Sequence, residues 1–599
     1  MNITNVNIVP IESQNSTEKD LIVKLLTWMQ ETERASSEVK WREESEEDYK
    51  FYAGSQDTSE IVRLLALQNR PSTVFNEVKP KTDMIVGLGD QIRRVPTVLP
   101  VGKEDAPLAE VMNGVFKHYR YNVNLSDIEM SCFEHTVKSG RSFLYFHIDA
   151  QNPFKPQIKC KRLPGRQVWV DPLSIDYNLD DARFIFIDKW LTEDEVKAYY
   201  PDFLGELAVL NTGGSHFTDP TFFTEASNKY RLVEMWYRDP VPVIWFNNPI
   251  TNIPEYVLKE RWPTYVKALK AGIPLPNGET LQMSETPPYV EAIKKIIKYA
   301  LLSGGQLLEY GVSPFKYDSF PIVLYGGYKD EDLNKWFGSI AMMKDPQRSL
   351  NTMRRQLTHL LQTAPKGILV HEAGALINED EYKKHSSEPN FRLVVQEGKV
   401  DKVKFSNQPQ ISPVYGQLDG VFLDALKNVS GAQDPLMGIQ TSSREPGVTA
   451  RMRMESNIAV LYMMFGNFRK SRIRGGKILL SLIQQFVTMP EVIRIEGMNG
   501  MELLDINTQM NPQVTGFNDI TIGKYDLAID EESENVTMRR QTAMMLMEFA
   551  QTNPGTIPPE LVMEYMDLPF SAKEQVKAYA EESYQRDLAL QEAGKTKQT

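Results

Sequence analysis

Apolar residues at three- and four-residue spacing dominate the first part of the chain and predict helices. Residues 17–70 read as helix, capped by Asn15 or Ser16, with Leu21, Ile22, Leu25, Leu26 and Met29 on one stripe. Trp41, Tyr49, Phe51 and Tyr52 anchor the next piece, and Gly54 ends it. Val78, Met84, Ile85, Leu88 and Ile92 make 76–93 a further amphipathic stretch, and 105–140 is again helical in pattern. The period then changes to two. Phe143, Tyr145 and His147 alternate with Leu144 and Phe146, and Ile158, Val168, Val170, Phe184, Phe186, Leu232 and Trp236 continue the theme. These are short strands of an α+β domain over 140–250. Thr192, three residues before Glu195, predicts a capping box on a small helix between them.

Downstream, 254–271 carries a helical pattern broken by Pro263 and ended by Gly272. The stretch 273–330 is rich in Pro, Gly and aromatics, with strands expected at 291–302, 306–311 and 321–325. A helix is expected from 346 to 364, with Asp345 as its cap and Pro346 at the first helical position. Strand-like runs follow at 367–370 and 391–395. The longest feature is 446–487, where Val448 through Phe486 hold a helical period; at 1.5 Å per residue it would span about 63 Å, the length of a strut. Gly475-Gly476 is a candidate kink in it. Strands at 491–496 and 525–530 precede a last helical region, 536–594.

The length, 599 residues, allows three to five globular units. With 41% hydrophobic and 24% charged residues the chain is too apolar to be disordered. The longest apolar run, Ile458–Phe465, is far short of the about 20 residues that span a bilayer. The residues after Met1 lack the basic and apolar regions of a secretory signal, so the expectation is a soluble protein made inside a cell. Two cysteines, Cys132 and Cys160, build neither a disulfide framework nor a cysteine zinc site. The net charge of −12 disfavours tight wrapping of nucleic acid but suits a surface that DNA slides past.

A search for enzyme chemistry finds little. The phosphate loop GxxxxGK[ST] is absent, since Gly475-Gly476-Lys477 is followed by Ile478. Gly87 and Gly89 lack the third glycine of a dinucleotide loop. The seven histidines are scattered without HExxH, and no GxSxG elbow occurs. Acidic runs such as Glu43–Asp48 read as solvated faces. The expectation is no enzyme activity, no cofactor and no metal.

Several residue runs together resemble the portal proteins of tailed bacteriophages, the head-to-tail connectors, especially the larger portals of short-tailed phages. Trp41, Tyr49, Phe51, Tyr52 and Gly54 are similar to the family's opening pattern, and Asn76–Arg94 followed by Pro96 to its next helix. Asp180-Asp181-Ala182-Arg183-Phe184, then Trp190-Leu191, Glu195 and Tyr200-Pro201, resemble a wing segment. Trp336–Gly367 carries the most specific run: Asp345-Pro346-Gln347-Arg348-Ser349-Leu350-Asn351, Arg354-Arg355 and Pro365-Lys366-Gly367. Tyr525–Gln541 is similar to the strand and helix that open a crown.

The resemblance implies a ring of about twelve copies around a DNA channel, at one vertex of the virion capsid, assembled in the host cytoplasm. It places a wing at 1–250 with a return at 363–430, stem helices at 254–271 and 346–364, a clip at 273–335, a tunnel loop at 432–446, the long helix at 446–487 and a crown at 498–599. The implied partners are the major capsid protein, the terminase large subunit, head–tail adaptor or tail proteins and double-stranded DNA, with no membrane. Stem and channel candidates are Asp345, Gln347, Arg348, Asn351, Arg354, Arg355 and Lys366; the arginines would line the channel or pair with a neighbouring subunit. Gln440, Ser442, Ser443 and Arg444 are the tunnel-loop candidates for DNA contact. Residues 441–480 hold eight cations against two acids, and Arg451, Arg453, Arg469 and Lys470 would meet either DNA or acidic neighbours. The alternative is a virion tail or baseplate component without a channel.

Overall fold

A computed structural model describes residues 16–487, except 69, 92–93, 101–105, 153–155, 202–222, 225–228, 248–253, 272, 275–279, 282–285, 304–305, 364–368, 386–391, 406–412 and 432–459, together with 7–8, 491–497, 500–506, 525–533 and 544–549. The chain divides into two units. One contains 1–45, 85–338 and 461–599; the other contains 46–84 and 339–460. The architecture is α+β, as the pattern predicts.

The expected helix over 17–70 is three helices, α1 (Ser16–Glu33), α2 (Ser36–Ala53) and α3 (Ser59–Leu67). Gly54, at φ +90°, ends α2 where a side chain would strain the backbone. Next come α4 (Val78–Gln91), α5 (Ala106–Asn122) and α6 (Leu125–Ser139). The glycine pair at 87 and 89 lies inside α4. Gly89 is there for packing, since a Cβ would sit 2.3 Å from the Phe133 ring.

The larger unit is organised on an antiparallel sheet of eight strands. Its path runs Asn7–Ile8, Gln306–Val312, Tyr289–Ser303, Lys229–Asn247, Phe184–Thr192 and Val168–Val170. Period-two alternation gives one face Phe184, Phe186, Val233, Met235, Tyr237, Ala300 and Leu302, against which α1 packs Ile22, Leu25 and Met29. Trp28 stacks on Phe184 with ring centroids 4.9 Å apart. The helix α7 (Glu193–Tyr199) starts at the expected Thr192–Glu195 capping box and packs Val196 with Tyr230, Leu232, Leu301 and Leu308. Strands 229–247 and 289–303 pair over fourteen consecutive positions, so the strands of the expected clip are continuous with the sheet of the expected wing. A three-stranded sheet, Ile322–Gly326, Arg141–Asp149 and Gln157–Leu163, lies in the same unit.

Three expectations are corrected. Residues 254–271 are not one helix. Pro254–Leu258 is a strand paired with Val243–Asn247, Lys259–Arg261 is a 3₁₀ turn, and α8 covers only Trp262–Ala271. Tyr256-Val257 favours extended backbone, and Pro263 sits in the first turn of α8, where its missing N–H is harmless. Second, α9 runs Ser339–Thr363, so Asp345 and Pro346 lie inside it and Asp345 is no cap. Buried Ile340 and Met343 extend the helix upstream, and this packing offsets the hydrogen bond lost at Pro346. Third, Val395 makes a single bridge to Leu376 in place of a strand at 391–395.

The smaller unit adds α10 (Glu379–His385), the ladder of Leu369–His371 with Val403–Phe405, and α11 (Val414–Ser430). Its core joins Phe51, Val78, Ile340, Met343, Leu350, Met353 and Leu426. In the larger unit α12 covers Tyr462–Phe486, unbroken through Gly475-Gly476; the rest of the expected strut, 446–459, lies outside the described residues. Glu491–Gly497 and Gly500–Ile506 form a hairpin, and Tyr525–Ser533 pairs with Arg94–Pro100.

Candidate functional site

The Asp345–Arg355 run is where sequence and structure meet most informatively. Positions 347, 351 and 355 recur every four residues, which places them on one face of α9. That face holds the irregular segment Arg70–Glu77, whose backbone groups have no ladder or helix to bond. Gln347 donates to the Phe75 carbonyl at 2.6 Å and accepts from the Glu77 N–H at 3.2 Å. Asn351 accepts from the Phe75 N–H at 3.0 Å and donates to Gln56 Oε1 at 2.6 Å. Gln56 in turn donates to Asn76 Oδ1 at 3.0 Å, and Asn76 donates to the Tyr52 carbonyl at 3.0 Å. Arg355 donates to the Thr73 carbonyl at 2.9 Å and pairs with Asp57 at 2.5 Å.

Gln347, Asn351 and Arg355 are buried in this lattice. Arg354 makes a two-pronged pair with Asp419 at 2.6 and 3.1 Å, and its guanidinium lies 5.1 Å from the Phe75 ring. The Asp419 hydrogen bond raises Arg354 above its ordinary pKa. Arg348 is exposed and pairs with Glu47 and Asp345. Burial pushes the Glu47 carboxyl up, but its contacts with Lys344 and Arg348 outweigh this and hold it below the usual range. Asp345 is 91% exposed. The run is therefore a clamp within the smaller unit, with Asp345 and Arg348 alone of its described candidates facing solvent. Lys366 lies outside the described residues.

The second cluster centres on α12, within the larger unit. Tyr177 Oη accepts from the Gly326 N–H at 3.1 Å and donates to Ser471 Oγ at 2.8 Å, with the Asn467 carbonyl 2.9 Å away as the alternative acceptor. Ser471 also donates to the Leu324 carbonyl at 2.7 Å. Below it Glu129 lies buried between two guanidiniums, Arg472 at 3.0 Å and Arg120 at 2.8 Å. Arg474 pairs with Asp180. Arg472 and Arg474 are thus ion-paired inside the chain, whereas Arg469 and Lys470 are exposed. Arg444, Arg451, Arg453, Gln440, Ser442 and Ser443 lie outside the described residues.

A cleft of about 980 Å³ in the larger unit is lined by His118, Asp127, His147, Lys159, Cys160 and Phe486, among others. Burial pushes the Cys160 thiol up to about 12, which leaves no thiolate nucleophile at neutral pH. Among the described residues no group of His, Cys, Asp and Glu side chains is placed to hold a metal ion, and no helix is long and apolar enough to cross a membrane.

The family profile described as phage P22-like portal protein matches residues 27–599. The chain belongs to the P22-like phage portal family. It is also 21% identical over 475 residues to a portal protein of Acyrthosiphon pisum secondary endosymbiont phage 1. That alignment covers 73% of this chain and 62% of the relative, so the chain spans less than two thirds of that portal protein's length. Both clusters fall inside the family match. Sequence reasoning named the α9 residues as stem and channel candidates and did not foresee their partners within the unit, Gln56, Asp57, Glu77 and Asp419. The four-residue spacing was the available signal, since polar residues repeating on one helix face, with apolar neighbours, mark a buried network.

Proposed function

We propose that the chain is a phage portal subunit. About twelve copies close into a ring at one capsid vertex, surrounded by the major capsid protein, and double-stranded DNA passes through the ring during packaging and ejection. The terminase large subunit docks on the ring and supplies the energy for packaging, and head–tail adaptor or tail proteins replace it afterwards. The subunit itself is structural and carries no catalysis. The family match over 27–599 carries this reading.

Physical features agree with the role. A chain of net charge −12 binds phosphate weakly overall, which favours sliding over capture. The loop 432–446 is the candidate for projection into the channel, with Gln440, Ser442, Ser443 and Arg444 near the DNA. Its single cation, Arg444, is followed by Glu445, so grip would come from shape more than charge. In vitro packaging with terminase and linear duplex DNA tests the proposal. Deleting Gly438–Arg444 should leave assembly intact and reduce the DNA retained in filled heads. A deletion that retains DNA like the parent would remove the loop from the channel, and a parent that supports no packaging would favour the tail-component reading.

A further inference from the structure

The side chains of α9 that hold residues 70–77 hold a second piece of chain as well. Asn351 accepts from the Phe75 N–H at 3.0 Å and donates to Gln56 Oε1 at 2.6 Å. Arg355, one turn further along, donates to the Thr73 carbonyl at 2.9 Å and pairs with Asp57 at 2.5 Å. Each of these two side chains therefore bonds both flanks of the stretch 58–72 at once. The flanks run antiparallel, so Gln56 shares a rung with Phe75 and Asp57 shares the next with Thr73. All of these residues belong to the smaller unit.

The two rungs are unequally fastened. Around the inner one, Gln347 bonds the Phe75 carbonyl and the Glu77 N–H, Gln56 bonds Asn76, and Asn76 bonds the Tyr52 carbonyl. Gln347 and Asn351 are 0% and 2% exposed. The outer rung is one guanidinium, that of Arg355, which is 7% exposed. Its planar fork presents N–H groups to two acceptors at once, which a lysine ammonium on a flexible stem does not reproduce. The stretch closed by these rungs contains α3, none of whose side chains is buried, so packing within α3 does little to oppose release once the rungs part.

We propose that residues 58–72 form a strap that opens from its outer end, with Arg355 as the pin and Asn351 as the second catch. Opening breaks the Asp57 and Thr73 bonds first, then frees the Phe75 N–H, and leaves Gln347 on the Glu77 N–H until last. Because one guanidinium serves both flanks, loosening either flank loosens the other. The open strap uncovers Arg355 and Asn351, which the closed strap keeps from solvent.

Hydrogen exchange of the full-length chain, read at single amides by mass spectrometry, tests this. In the parent, the Phe75 amide should be at least about tenfold less protected than the Glu77 amide, since a smaller opening frees it. Equal protection would overturn the strap, because both amides would then be released by one opening. Asp57→Asn removes the charge that holds Arg355 at the first flank, and among the described residues Arg355 is the one side-chain partner of Asp57. The variant should nevertheless speed exchange at Phe75, on the other flank, by at least about tenfold, the worth of a hydrogen bond to a charged group. Glu77 should change far less. Arg355→Lys, which keeps the charge but serves one flank at a time, should act the same way. Phe75 exchanging at the parental rate in both variants would overturn the proposal, because the flanks would then be held independently. Equal acceleration at Glu77 would overturn it too, since no outer end would then open first. If either variant fails to fold, the comparison of Phe75 with Glu77 in the parent decides.

Discussion

The helices α9 and α12 are each 25 residues long and solve opposite packing problems. One face of α9 buries amides and a guanidinium, and its bonds go to the backbone of an irregular segment. Its partners are directional, so it sets where residues 70–77 lie. The buried face of α12 is mostly Ile478, Leu479, Leu480, Leu482 and Ile483, with small residues where the sheet comes close. A Cβ on Gly475 would meet Leu144 at 3.4 Å, an ordinary contact already near its limit. Where α12 buries charge, it does so at one point, the Arg120–Glu129–Arg472 triad. The difference teaches that a polar face can fix the path of a loop, while an apolar face with one enclosed charge group is most sensitive where that group loses a partner.

Perturbations of the two helices should therefore rank. Glu129→Ala leaves two buried guanidiniums without their carboxylate and should cost about 3–5 kcal/mol in urea unfolding of the larger unit. Asn351→Leu strands the Phe75 N–H and a Gln56 amide and should cost about 1–3 kcal/mol in the smaller unit, with increased hydrogen exchange over 70–77. A larger loss from Asn351→Leu than from Glu129→Ala would reverse the comparison.

Acid separates the two regions next. Burial, with Arg162 nearby, lowers His135 to about 4, and burial, with Lys161 and Lys189 nearby, lowers His147 to about 4; both lie in the larger unit. Their ordinary value is 6.5, so between pH 6.5 and 4 the unfolded chain binds more protons than the folded one. Their contribution is fully present above pH 6.5 and is lost as pH falls toward 4. Melting temperatures measured across this window should fall, and a His135→Gln/His147→Gln double variant should fall less steeply. The amides of the α9 lattice do not titrate there. The smallest effect belongs to Asp345→Ala. Among the described residues its one ion pair is with exposed Arg348, a contact worth about 0–1 kcal/mol, and the melting temperature should barely move. A clear drop would restore Asp345 as a cap.

What the sequence revealed followed the range of each interaction. The Thr192–Glu195 box is local, and it is present as read. Phe184, Phe186, Leu232 and Trp236 declared a strand period that needs no distant partner to be seen. Asp345-Pro346 misled because a proline in the first turn and a proline inside a helix look alike until the packing of Ile340 and Met343 is known. The pairing of Arg94–Pro100 with Tyr525–Ser533 bridges more than four hundred residues, and neither strand announces the other. The polar repeat at 347, 351 and 355 was visible, but its target was not. Read beside a family resemblance it pointed to a channel, whereas the burial of these side chains assigns them to a clamp within the subunit. The apolar residues of α3 look like core in the sequence, and only exposure separates them from it.

The most direct test of the account is the native mass of the purified full-length protein across a range of salt and protein concentration. The account predicts a closed particle of about 820 kDa, twelve times the 68.5 kDa chain, whose end-on electron micrographs show a central hole. A chain that remains monomeric or dimeric under every condition, or that assembles into an open filament without a hole, would contradict it.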